Sequence, residues 1–311
     1  MMNTPVLDFV QKYAASEMIR FHMPGHKGRS VLGMEKWDIT EVKGADALYE
    51  AEGIIAESEA NAAALFGSER TLYSTEGSSQ CIRAMLYLAC QNCRTGNRPV
   101  VVAARNVHKA FVSAAVLLDL EVVWLWPEET DSLCGCPVSA KQLENVLSDL
   151  ETPPAAVYLT SPDYLGGMAD ISVMAEVCHK YGTLLLVDNA HGAYLRFLQP
   201  SLHPLDLGAD LCCDSAHKTL PVLTGGAYLH ISKNVSEEIS ASSKLAMSLF
   251  GSTSPSYLTL ASLDACNREL AEGFEEKLQN MIQEITRLKM QLTEAGWYVE
   301  NSDPLRLTLR M

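Results

Sequence analysis

Basic residues are scarce in this 311-residue chain, where 24 lysines and arginines face 38 aspartates and glutamates for a formal net charge of -14. A protein that holds a phosphate backbone needs clustered cations to release counterions, so the deficit argues against nucleic-acid binding. Long apolar runs are missing too: no stretch reaches the ~18 consecutive apolar residues of a membrane span. The N-terminal residues Met1 to Ala15 carry Asp8, Gln11 and Lys12 where a secretory signal would have its apolar centre. Paired cysteines are also lacking. The nine cysteines are odd in number and scattered, several of them in apolar segments such as Cys212-Cys213, which suits a reduced, cytoplasmic protein. Cys90-x-x-Cys93 and Cys134-x-Cys136 lie on different segments and lack the local spacing of zinc modules, so no metal centre is expected.

What remains is an ordinary globular composition, 48% hydrophobic and 20% charged, enough for one large core and a smaller domain. Residues 1–50 read as an irregular arm with one short helix, residues 51–255 as the large domain, and residues 256–311 as a bridging helix and the start of a further domain. The arm contains Phe21-His22-Met23-Pro24-Gly25-His26-Lys27-Gly28, a loop dense in polar chemistry that reads equally as a surface turn with solvated histidines. A helix over Gly53–Phe66 is expected to end at Gly67. The short extended stretch Thr71–Ser74 then leads through Gly77-Ser78-Ser79 into a helix from about Gln80 to Cys90. Strand, Gly-Ser-Ser and helix form a phosphate cradle in outline, or a plain serine N-cap.

From Pro99 to Val187 strands and helices alternate, which argues for a mostly parallel sheet with helices on both faces. Such sheets hold ligands beyond the carboxyl ends of their strands. The polar residues at those ends are Arg105, Asn106 and His108; Ser161, Asp163 and Tyr164; Asp188, Asn189 and His191; and Ser215, His217 and Lys218. A strand Gly226–Ile231 follows, and the polar stretch Ser232–Ser243 is expected to cover the site. Apolar residues at helical spacing predict one long helix from about Leu260 to Ala295, followed by two strands at Trp297–Glu300 and Leu305–Arg310.

Lys218 alone reads as a surface lysine. Its meaning comes from Asp188, at the end of the apolar strand Leu184–Val187. An aspartate on a pyridine nitrogen and a lysine in Schiff-base linkage are the two fixed points of pyridoxal phosphate sites. Gly77-Ser78-Ser79 would hold the phosphate, and His108 could stack on the ring.

The chain resembles the ornithine/lysine/arginine decarboxylases, pyridoxal phosphate enzymes of fold type I. The stretches that carry the resemblance are FHMPGHKG (21–28), DITE (38–41), RNVHK (105–109), TSPDY (160–164), VDNAHG (187–192) and SAHKTLP (215–221). The resemblance implies a pyridoxal phosphate transferase-like α/β fold and α-decarboxylation of arginine, lysine or ornithine to the amine. It implies that Lys218 forms the Schiff base, Asp188 pairs with the pyridine nitrogen, His108 and Ala190 pack on opposite ring faces, and His191 sits beside the cofactor. Ser78, Ser79, Ser215 and His217 would contact the phosphate. It also implies a homodimer or higher homo-oligomer with the site at the interface, which the FHMPGHKG arm would reach. An aminotransferase or β-lyase shares the aspartate and lysine but not FHMPGHKG. Departures from the family pattern are Glu76-Gly77-Ser78-Ser79 for Asn-Gly-Thr-Ser, Asn189 for Glu, Asp163 for Thr, and Thr224-Gly225-Gly226 for a Thr-Gln pair. Family members continue through a C-terminal domain where this sequence stops at Met311, so a cofactor-binding but catalytically impaired subunit is a further alternative.

Overall fold

The computed structural model describes residues 2–91, 98–129, 132–300 and 302–310. Helix α1 (Pro5–Ala15) starts on a proline in its first turn, where a missing N–H leaves no helical bond unmade. An irregular stretch leads to a single 3-10 turn at Leu48–Glu50, and α2 (Ile54–Phe66) ends at the left-handed Gly67, as predicted. Strand β1 (Arg70–Ser74) and helix α3 (Ser78–Gln91) come next. The predicted alternation then follows: β2 (Val100–Ala104), α4 (Lys109–Leu117), β3 (Glu121–Leu125), α5 (Ala140–Asp149), β4 (Ala156–Thr160), α6 (Ile171–Lys180) and β5 (Leu184–Asp188). Strand β6 (Leu211–Asp214), the one-turn helix α7 (Ala216–Thr219) and β7 (Ala227–Ile231) complete a seven-stranded sheet in the order β1-β7-β6-β5-β4-β2-β3. Only β7 runs against the others.

The side-chain alternation of a strand sorts the sheet into two faces. Val101, Ala103, Tyr158, Leu186 and Cys213 pack under α3 and α4. Their neighbours Val102, Val157, Leu185, Val187 and Cys212 pack against α5 and α6. Both faces are covered, which is why these strands read as continuous apolar runs. A third cluster, with Tyr73, Tyr228 and Tyr257, joins β1 and β7 to the arm. There Val6 and Val10 of α1 are buried, and the Asp264 carboxylate accepts the N–H groups of Val6 and Leu7, both at 2.9 Å. A carboxylate at a helix N-terminus satisfies orphan donors and the helix dipole together.

Two expectations are corrected. The single helix predicted over 260–295 is two: α9 (Tyr257–Ala271) and α10 (Phe274–Glu294). Gly273, at φ +80°, breaks the backbone ladder. Leu270, Phe274 and Leu278 keep four-residue spacing across the break and bury on the same cluster, so periodicity alone reads straight through it. The stretch Ser232–Ser243 does not cover the strand ends. Its second half belongs to α8 (Glu237–Leu249), which packs on α3, with Arg70 of β1 donating to the Ser240 carbonyl at 2.8 Å. The chain closes on β8 (Tyr298–Glu300) and β9 (Thr308–Arg310), an antiparallel pair separate from the main sheet. Among the described residues no helix is long and apolar enough to cross a membrane.

Candidate active site

Strands β1 to β6 point the same way, so their carboxyl ends share one rim. Asp188, the last residue of β5, is on the same face as Leu186, toward α3 and α4. It is fully buried, and three donors reach its carboxylate: the Ala190 N–H (3.2 Å), the Tyr158 hydroxyl (3.2 Å) and, more weakly, the Cys213 thiol (3.8 Å). Burial pushes its pKa up, while Ala190, Tyr158, His108 and Lys218 pull it back down. The site therefore holds a desolvated carboxylate whose charge is steadied by fixed donors and nearby bases.

Lys218 leaves α7 on the same rim, and its Nζ lies 3.2 Å from His191 Nε2. Its pKa is lowered chiefly by burial and also by Arg306, against the opposing pull of Asp188 and Cys213. The lowered pKa raises the share of free amine, the form that attacks an aldehyde. His191 is held neutral, down to about 4, by burial first and then by Lys218, Arg306 and His108. His108 is the N-cap of α4: its Nδ1 accepts the Ala110 N–H at 3.2 Å, and burial again lowers its pKa.

At the start of α3 the Ser215 hydroxyl donates to that of Ser78 at 2.6 Å, so β6 and α3 bring two hydroxyls together. Ser79 follows on the first turn of α3. The Gly77 N–H donates to the Gly225 carbonyl (2.7 Å), and the His217 ring binds the adjacent Gly226 carbonyl (3.0 Å). One turn thus holds both the Gly77 loop and His217. This explains the Gly225-Gly226 departure locally. Gly225 has φ +95°, and a Cβ there would stand 2.6 Å from the Thr75 carbonyl, at the entry to the same loop. A Cβ at Gly77 would meet nothing within 4 Å, so there is open space beside the loop at that position. Glu76 does not crowd it, since its carboxylate accepts the Ser252 N–H beyond α8.

The other departures have structural roles. Asp163 holds its own turn by accepting the Leu165 and Gly167 N–H groups, each at 2.8 Å. Asn189 donates to Asp214 Oδ1 at 2.6 Å, and its own Oδ1 is buried without a partner. Asp214 Oδ2 also meets His203 Nε2 (3.2 Å) and His230 Nε2 (3.1 Å), all three residues being wholly buried. The donor set favours hydrogen bonds over a cation. The Leu205 N–H points at His203 Nδ1 (3.4 Å), which leaves the proton on Nε2, aimed at the carboxylate. Cys93 lies outside the described residues. In the arm, His22 pairs with the Tyr13 hydroxyl (2.5 Å) and His26 with Asp38 (3.1 Å).

Tyr158 and Arg306 were not singled out from sequence. Tyr158 carried a signal, because strand alternation puts it on the face of Asp188 one strand over. Arg306 carried none. Its Nη2 is 2.8 Å from His191 Nδ1 across 115 positions of chain, and its Nη1 donates to the Tyr164 carbonyl.

Geometry of this kind is shared by many enzymes, and comparison with known proteins narrows it. The family described as "Orn/Lys/Arg decarboxylase, major domain" matches residues 4–310. The chain belongs to that family. An arginine decarboxylase of Halalkalibacterium halodurans is 31% identical over 295 residues, covering 90% of this chain and 58% of the relative. The uncharacterized Bacillus subtilis protein YaaO is 32% identical over 330 residues, covering 99% of this chain and 67% of the relative. The lysine decarboxylase LdcF of Francisella novicida superposes with a TM-score of 0.78 at 20% identity, over 94% of this chain and 44% of that one. A serine palmitoyltransferase in its pyridoxal phosphate internal aldimine form shares the fold at a TM-score of 0.63 and 15% identity. This Orn/Lys/Arg decarboxylase family chain therefore has the pyridoxal phosphate transferase-like fold of type I, and it spans 58% to 67% of those two curated relatives.

Proposed function

We propose that the chain is the catalytic major domain of a pyridoxal phosphate-dependent decarboxylase acting on arginine, lysine or ornithine. The observation that carries this reading is the convergence at one rim of buried Asp188, the Lys218 amine beside His191 and the Ser78–Ser215 hydroxyl pair at the start of α3. The donor set fits the cofactor: an anion for a pyridinium, an amine for an aldehyde, and hydroxyls with a helix N-terminus for a phosphate. When bound, pyridoxal phosphate supplies the electron sink for the pair left when carbon dioxide departs.

The chain's own residues do the rest. Lys218 would hold the aldehyde carbon and later give it up to the substrate amine, leaving as the free amine. Asp188 would keep a proton on the pyridine nitrogen, and the Tyr158 and Ala190 donors fix the carboxylate that does so. Gly77, Ser78, Ser79, Ser215 and His217 would hold the phosphate, His108 and Ala190 would flank the ring, and His191 would stand beside it. Lys218, with His191 3.2 Å from its Nζ, would return a proton to the α carbon.

Treating the purified chain with pyridoxal phosphate and then borohydride is expected to leave a stable pyridoxyl mark on Lys218 in a peptide map. Incubation with each basic amino acid is then expected to release carbon dioxide and the matching amine. No mark at Lys218 removes the cofactor claim; a keto acid in place of carbon dioxide replaces decarboxylation by amino transfer.

The reading includes a homodimer or larger homo-oligomer. In the arm Phe21 is 91% exposed, with Ile19, Met23, Val31 and Leu32 also open to solvent, an apolar run that a second copy would cover. Light scattering on the purified chain is expected to give at least twice the 34.0 kDa chain mass. A reduced, cytoplasmic setting is supported by free Cys81, Cys178, Cys212, Cys213 and Cys266, all buried.

A further inference from the structure

The C-terminal segment enters the site through one side chain. Asp303 Oδ1 accepts the N–H groups of Leu305 (2.9 Å) and Arg306 (3.0 Å), and the Thr308 hydroxyl donates to the Leu165 carbonyl (2.7 Å). Between these anchors Arg306 reaches inward. Its Nη1 donates to the carbonyls of Asp163 (3.5 Å) and Tyr164, and its Nη2 lies 2.8 Å from His191 Nδ1. The Tyr164 ring meets the imidazole edge-on, with centroids 6.0 Å apart at 90°. The imidazole is thus held by Arg306 on one nitrogen, by Lys218 on the other and by an aromatic ring at its side.

We infer that Arg306 is a positioning residue that sets the protonation pattern of the site: it fixes His191 as the Nε2–H tautomer, and that N–H in turn requires Lys218 to present a lone pair. This rests on the reading of Lys218 as the reactive amine. The logic follows from donor counts. A guanidinium has five N–H donors, no acceptor, and does not lose its proton in proteins. His191 Nδ1, facing it, must therefore offer its lone pair. A neutral imidazole carries one N–H, which is then on Nε2, 3.2 Å from Lys218 Nζ. An ammonium at Lys218 would oppose donor to donor, whereas the free amine accepts. Doubly protonated His191 would turn a second N–H toward the Arg306 guanidinium, and it is disfavoured down to about 4 by burial first and then by Lys218, Arg306 and His108.

The charged and titratable groups acting on Lys218 come from every side of the rim: Asp188 from β5, Cys213 from β6, His108 from α4, His191 from the turn after β5, and Arg306. Asp188 and Cys213 favour the ammonium; burial and Arg306 favour the amine. A nearby cation alone would lower the Lys218 pKa whatever the histidine did. The tautomer of His191 is what separates positioning from plain repulsion.

The test uses the 311-residue chain with ¹⁵N-labelled histidine and no added cofactor, the His191 signals being assigned by their loss in His191→Gln. We expect a protonated Nε2 and an unprotonated Nδ1. Arg306→Lys, which can still only donate, keeps that pattern. Arg306→Met mixes the tautomers and raises the apparent pKa of Lys218, read from the pH dependence of its reductive methylation, by about one unit. An Nδ1–H tautomer in the unsubstituted chain overturns the inference without any variant. So does an Arg306→Met chain with an unchanged tautomer. A chain that takes no pyridoxal phosphate at Lys218 sinks the functional reading while the tautomer result still stands. A chain that takes it but shows Nδ1–H sinks only the role of Arg306.

Discussion

Lys218→Ala is expected to lower turnover by on the order of 10⁴-fold or more while leaving the fold intact. The size follows from what the side chain does. In the proposed function it would supply the amine that exchanges with substrate, and its Nζ lies 3.2 Å from His191 Nε2. Removing it leaves the binding groups Asp188, Ser78 and Ser215 in place, so the cofactor should still associate, without a covalent link. Stability should hold, because Lys218 is on an exposed position of a one-turn helix and its side chain bonds only to His191 among the described contacts. Removing an amine whose charged form the Arg306 guanidinium disfavours carries no penalty of its own. Circular dichroism and a melting temperature within a few degrees of the parent would establish that the loss is chemical. A small added amine should restore part of the rate by replacing Lys218 in the exchange step. A variant that keeps more than a few per cent of parental turnover would end the assignment of Lys218 as the reactive amine.

How much of this was legible beforehand depends on the range over which each residue acts. Asp188 and Lys218 could be placed together because Asp188 closes β5 and Lys218 follows the end of β6 in the one-turn α7, and parallel strands bring such ends to one rim whatever their exact register. That Gly77-Ser78-Ser79 lead into a helix could be read because a helix start is local. The two-helix break at Gly273 could not, since apolar spacing continues through it and only the backbone sign at one residue differs. Arg306 could not, because its partner is 115 residues away and its own surroundings look like a strand. The same holds for His203 and His230. One sits in a loop and the other on β7, and neither has local spacing to the other or to Asp214. Their association depends on β6 and β7 pairing with Cys212 opposite His230.

Asp214→Ala is expected to destabilise the chain by about 3–5 kcal/mol, because it leaves three buried donors without their acceptor at about 1–3 kcal/mol each. The carboxylate has no exposure to solvent, and three donors converge on it, the Nε2–H groups of His203 and His230 and the Asn189 amide. The two imidazoles hold its pKa far below the usual aspartate range. Alanine strands all three donors where water cannot reach, and each unmade bond adds its desolvation cost. Asp214→Asn should cost much less. Its amide oxygen can keep the imidazole donors, and Asn189, whose Oδ1 is buried and unused, can turn its amide over to accept from the new NH₂. The pH dependence gives a second reading. Burial lowers the His230 pKa, and Asp214 is the group that pulls it back up. Without Asp214 the folded imidazole resists protonation further, while an unfolded one takes up its proton near pH ~6.5. The unfolded state then binds more protons below that point, so stability falls as pH falls, and more steeply in Asp214→Ala than in the parent. Urea unfolding at pH 7.5 and 5.5 should show the gap between the two chains widening on acidification. A gap that is constant or narrows would mean that Asp214 does not support the histidines, and that the cost of its loss lies in packing alone.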